Sequence, residues 1–274
     1  MRSRPVVILA VFAMVALLLS SCDAFFTTNL FKAAGLGQVS AADLAGKTSA
    51  ELTAAAYSGG DPSNPSAAFF DALAGNASAK ADVLATLAAT YGGSGPAADV
   101  QEAAALAAQI ELITTGADGI VNNVVALLAS GTSFSAMSSS ADIVDAAKAL
   151  IPADLAADKA SFTAAITALL DSGTAYTALG TSIGADGVAG NVDLGTAAQS
   201  AVMAAFLGGI DPATALDPGG SPYTNSADLL WDLVQGTPGV NTAGLGGGFT
   251  APVFTAGTPL GDLVGAAGLD TSSL

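Results

Sequence analysis

The chain has 274 residues, 51% of them hydrophobic, and its 23 acids against seven lysines and arginines give a formal net charge of −16. It has no histidine and one cysteine, Cys22. A basic groove for nucleic acid is excluded, because such binding works through Lys and Arg displacing counterions. His-based triads, a histidine general base and Cys/His zinc sites are excluded as well, and so is an intramolecular disulfide.

The first stretch reads as an address. Met1-Arg2-Ser3-Arg4 carries two positive charges, an apolar run follows from Pro5 to Leu19, and small residues lead to Leu19-Ser20-Ser21-Cys22. A basic segment, an apolar segment of about 7–15 residues and small residues before a cut make a secretory signal. A membrane-spanning helix needs about 20 apolar residues, and this run is shorter. Leu19-Ser20-Ser21-Cys22 resembles a bacterial lipobox. That resemblance implies that residues 1–21 are cleaved and that Cys22 becomes a lipidated (palmitate-bearing) amino terminus. Two acyl chains, at about 0.8 kcal/mol per buried methylene, suffice for stable anchoring. It also implies a place in the cell envelope, on the periplasmic face of a membrane. Asp23, just after the cysteine, resembles an inner-membrane retention signal of some bacteria; inner and outer membrane both stay open. Loss of Arg2 and Arg4 with the signal leaves five lysines against 23 acids, a net charge of −18. Docking to anionic lipid is then disfavoured, and the lipid must do the anchoring.

Residues 22–40 read as the lipidated tether and residues 41–210 as a helical domain. Alanine dominates, apolar positions recur at three and four, and Gly, Ser, Asn and Pro punctuate the runs, the pattern of helices. In chain order the predicted helices are Ala41–Tyr57, Ser66–Ala74, Ser78–Tyr91, Pro96–Thr114, Asp118–Ala129, Ser140–Leu150, Ala153–Ser172, Thr174–Ile183, Leu194–Leu207 and Ser226–Val234. Ser140-Ala141-Asp142 and Asn225-Ser226-Ala227-Asp228 offer oxygens to free N–H groups at helix starts, and Pro96 suits a first turn. Tyr91-Gly92-Gly93 and Leu207-Gly208-Gly209 predict ends with glycine in the left-handed conformation. From Asp211 to the end, residues 211–274, Gly, Pro and Thr become frequent, with the Trp231 helix and Leu260–Ala267 as the convincing elements. This segment is expected to wrap the body or stay partly mobile.

The fold class is therefore all-α, either an array of helical hairpins or an irregular bundle, with a Gly/Pro-rich C-terminal tail. One internal echo bears on that choice. Residues 116–124 match residues 184–192 at six of nine positions, an offset of 68. That is two lengths of the roughly 34-residue tetratricopeptide unit, a helical-repeat family whose character the chain resembles weakly. The Trp/Leu/Gly/Tyr signature of that family is missing.

Four groups of residues could carry chemistry or binding. Asp186, Asn191 and Asp193 bring calcium-type oxygen ligands to a Gly-rich loop, at spacings that miss the EF-hand pattern. Capping and turn formation explain these residues better. Asp118, Asn122 and Asn123, at the start of an apolar helix, could line a polar ligand pocket; Asp118 could equally be an N-terminal acid facing the dipole. Asp142 and Asp145 stand one helical turn apart, as a carboxylate pair of a hydrolase could. Trp231, with Leu229, Leu230 and Leu233, could be an interaction hot spot or pack on the core. No P-loop, dinucleotide fingerprint or nucleophile elbow is present, and no cofactor is expected. The expectation is a non-enzymatic, lipid-anchored scaffold or adaptor with a protein partner in the envelope and no nucleic acid. The alternative is a small-ligand-binding accessory lipoprotein associated with transport.

Overall fold

Local sequence chemistry sets most of the helix starts. The computed structural model describes residues 39–121, 123 and 139–269; Cys22 and the predicted export signal lie outside them. Residues 41–56 form two helices, α1 (Ala41–Leu44) and α2 (Ser49–Ala56), where the sequence predicts one. Gly46 sits at φ 72°, a conformation that breaks a helix. Thr48 then restarts it through a capping box: the Glu51 N–H donates to Thr48 Oγ1 at 3.3 Å, and the Thr48 N–H donates to Glu51 Oε2 at 2.9 Å. α3 (Ala67–Ala74) buries Phe69, Phe70 and Leu73, and α4 (Ala77–Tyr91) starts at Asn76, whose side chain accepts from the Ala79 N–H.

The core is built on α5 (Ala97–Thr115) and α7 (Lys159–Asp186), which make the most extensive helix–helix contact among the described elements. α5 buries Ala103, Ala104, Ala107 and Ala108 together with Val100, Leu106, Ile110 and Leu112. Side chains this small let neighbouring backbones come close on several sides of one helix. α2, α3 and α4 pack on α5. α6 (Ser140–Leu150) has the predicted bounds, and its cap is Ser139 rather than Ser140, in a second capping box with Asp142. Residues 118–121 are also helical.

α7 corrects the predicted pair Ala153–Ser172 and Thr174–Ile183. It runs unbroken through Gly173 for 28 residues, and Leu155–Ala157 instead forms a short 3-10 turn. A helical glycine costs about 1 kcal/mol relative to alanine. Burial of Leu169, Ser172, Ala175 and Tyr176 around it outweighs that cost. The true start is Asp158, which accepts from the Ser161 N–H at 2.8 Å. The helix ends at Gly187, φ 75°, where the chain turns toward α8.

α8 (Leu194–Gly208), α9 (Ser226–Gln235), α10 (Leu245–Gly248) and α11 (Pro259–Ala266) complete the order. Gly92 and Gly209 are right-handed (φ −82° and −76°), not left-handed as expected. Gly209 is there for proximity: Thr250 donates to its carbonyl at 2.8 Å, and a Cβ would collide with the Thr250 carbonyl. The described part of the tail is packed. α11 lies against α7 and α8, α9 against α7 and α6, and Leu216 forms isolated bridges to Pro222 and Asn241. Trp231 is half-buried and packs edge-on against the buried Phe162, ring centroids 5.4 Å apart. Among the described residues there is no strand or sheet, and no helix is long and apolar enough to cross a membrane.

The echoed segments do not share a conformation. Gly116 ends α5 at φ 73°, whereas its counterpart Gly184 lies inside α7. The echo therefore marks no repeated hairpin, and the arrangement is irregular.

Candidate functional site

α5 meets the α7–α8 turn through a cluster of side-chain hydrogen bonds. Gln101 is fully buried in α5. Its amide nitrogen donates to the Gly187 carbonyl at 2.8 Å and to Ser182 Oγ at 3.2 Å. Its amide oxygen accepts from the N–H groups of Ala189 and Gly190, both at 2.9 Å. One side chain thus does for this turn what a strand partner would do, satisfying backbone groups that have no helix to bond to. Glu102 adds a bond from the Asn191 N–H at 2.9 Å.

This clamp settles how the loop's oxygen-bearing residues are used in the fold. Asn191 donates its side-chain amide to the Gly60 carbonyl at 2.8 Å. Asp193 caps α8, accepting from the Thr196 N–H at 3.2 Å and from its hydroxyl at 2.8 Å. Asp186 is exposed at the last position of α7. Among the described residues no group of three His, Cys, Asp or Glu side chains is placed to hold a metal ion. Asp142 is likewise engaged, in its capping box with Ser139, and both it and Asp145 are exposed on α6.

Asp118 and Asp193, 75 positions apart in sequence, line the same cleft, of about 230 Å³. Its apolar wall is Leu112, Ile113 and Val121 from the α5 side and Pro62 and Pro65 from the loop after α2. Gln109, Gln199 and the buried Ser200 add neutral polar groups. Beside it the buried Tyr57 hydroxyl donates to Gln109 Oε1 at 3.0 Å. Asn123 is elsewhere: its amide donates to the Leu150 carbonyl at 3.1 Å and ties the helical turn after α5 to the end of α6. Asn122 lies outside the described residues. The structure thus joins one residue of each predicted site, Asp118 and Asp193, and assigns Asn191 and Asn123 to structural bonds.

No protein-family model matches this chain. Neither a curated protein nor a solved structure matches it.

Burial raises the Tyr57 hydroxyl well above the ordinary tyrosine range, and the negative charges of Glu102 and Asp193 add to the effect. Burial raises Tyr176 similarly, offset in part by its hydrogen bond with Ser200. Because the folded state resists ionising these phenols, stability is intact below the unfolded value of 10.0 and falls as pH rises above it. Each tyrosine contributes a slope of about 1.4 kcal/mol per pH unit. Thermal melts followed by circular dichroism should show a steep loss of Tm beginning near pH 10. A Tm that stays flat to pH 11.5 (roughly one and a half units above the ordinary tyrosine value) would show that these hydroxyls reach solvent.

Proposed function

We propose that this protein is a non-enzymatic, lipid-anchored helical component of a bacterial cell envelope that serves as a scaffold or adaptor for a protein partner. The observation that carries this reading is Leu19-Ser20-Ser21-Cys22 behind a basic and then apolar start. That order of residues supports lipid attachment at Cys22 and display on the periplasmic face of a membrane. The all-α body that follows is rich in small buried side chains and strongly acidic, which suits a domain held close to an anionic membrane but repelled by it. Val188 and Val253 are the exposed large apolar residues of the described surface. The partner contact is therefore polar, and a basic face on the partner complements the net charge of −18.

In-envelope cross-linking with a zero-length carboxyl–amine reagent, followed by purification of the full-length chain, tests the adaptor role. The expected product is one stoichiometric adduct with a partner whose lysines join the acids of this chain. Recovery of the uncrosslinked chain alone, at reagent levels that cross-link a control envelope complex, would contradict it.

A second reading, a small-ligand-binding accessory lipoprotein, is favoured by one observation, the cleft between α5 and α8. Ligand sites are concave, largely apolar and carry a few convergent polar groups, and this cleft has both kinds of lining. Its volume of about 230 Å³ sets the scale of what it could hold.

A further inference from the structure

We propose that the cleft between α5 and α8 selects a small organic cation, an ammonium group carried on a short apolar body. The inference rests on the second reading above and names its ligand. Size bounds the occupant. About 230 Å³ is room for roughly eight water-sized groups at about 30 Å³ each. The occupant is therefore a molecule of eight to ten non-hydrogen atoms, well below drug size.

Charge sets the class. Asp118 and Asp193 place two carboxylates on the cleft and no lysine lines it. Against them stands the N-terminus of α8, worth about +0.5 of a charge, and the helical turn at 118–121 adds at most as much. Two negative charges against about one positive leave a net charge near −1 at the cleft. An anion is rejected, and a single positive charge is matched.

Availability separates the two acids. Asp193 already serves the Thr196 N–H and hydroxyl, so it acts as a fixed charge. Asp118 makes no hydrogen bond or ion pair among the described residues, and its carboxylate is exposed to meet an incoming donor. The apolar lining, Leu112, Ile113 and Val121, takes the apolar end. The ligand this geometry fits has its ammonium at Asp118 and its hydrocarbon on α5.

Isothermal titration calorimetry on the full-length chain in detergent, with empty micelles as the blank, tests this with three molecules of one shape: phenethylamine, 2-phenylethanol and phenylacetate. At roughly physiological ionic strength, where surface charges are screened beyond about 8 Å, phenethylamine should bind at least tenfold tighter than the alcohol, and phenylacetate should not bind. Asp118→Asn should weaken the amine about tenfold and leave the alcohol unchanged. Asp145→Asn, an exposed acid away from the cleft, should change nothing. If none of the three binds, the ligand-binding reading itself falls. If amine and alcohol bind equally, or if Asp118→Asn has no effect, the cleft binds ligands but the cation assignment is wrong. If Asp145→Asn weakens the amine as much as Asp118→Asn does, attraction to the acidic surface explains the binding and the site is overturned.

Discussion

Gln101→Leu should destabilise the fold by about 3 kcal/mol while leaving its helix content unchanged. The substitution keeps side-chain size and deletes four hydrogen bonds, to Ser182, Gly187, Ala189 and Gly190. A typical bond contributes about 1 kcal/mol net. The turn at residues 187–189 is exposed, so water replaces part of what is lost, and the total stays below the cost of four dry orphans. Gln101→Glu should do no better. A carboxylate can still accept from Ala189 and Gly190, but it cannot donate to the Gly187 carbonyl, and its charge is buried. Urea unfolding measures the loss. Hydrogen exchange locates it, with the Ala189 and Gly190 amides exchanging far faster in Gln101→Leu. A loss below roughly 0.5 kcal/mol, the range of ordinary surface changes, would mean that the turn holds itself without the clamp.

Gly180→Ala should cost about 2–3 kcal/mol, opposite in sign to what helix propensity alone predicts. Replacing a helical glycine by alanine ordinarily gains up to about 1 kcal/mol. At Gly180, however, a Cβ would run into the Pro259 carbonyl, where the first turn of α11 crosses α7. Backbone cannot step aside as a flexible side chain does, so α11 must lift. Leu263 and Val264, both fully buried, then lose part of their packing. Overpacking of this kind typically costs about 1–3 kcal/mol, and partial exposure of two such side chains adds to it. Gly173 supplies the control within the same helix. A Cβ there would stand 4.0 Å from that of Ala204, an ordinary contact, so Gly173→Ala should stabilise. Thermal melts of the two variants should move in opposite directions from the parent. Movement in the same direction would show that α11 does not depend on close approach to α7.

How far the sequence could be read depended on how local the determining contact is. The Asn225 cap is legible because its partner, the Asp228 N–H, is three residues away. The Asp158 and Thr48 caps are just as local, but each was hidden inside a longer alanine-rich run that already looked helical. The continuity of α7 through Gly173 was not legible, since the packing that overrides the glycine comes from helices distant in sequence. Gln101 is the clearest case. In a run of alanines it is one more good helix former, and nothing near it signals that a turn 86 to 89 residues later needs its amide. Asp118 and Asp193 could each be marked as helix-start acids, but their meeting in one cleft is a property of how α5 and α8 are placed. The glycines of the tail read as looseness. Several of them, Gly244 and Gly261 among them, instead permit backbone-to-backbone contact and hold the tail down.

The proposed function depends most on the lipid proposed for Cys22. It is tested most directly by feeding labelled palmitate to cells of the native host that express the full-length chain or its Cys22→Ala variant. The parent should carry the label and sediment with membranes, and Cys22→Ala should lose the label and its membrane association together. A variant that still labels and still sediments would contradict the anchor, and with it the assignment to the envelope surface.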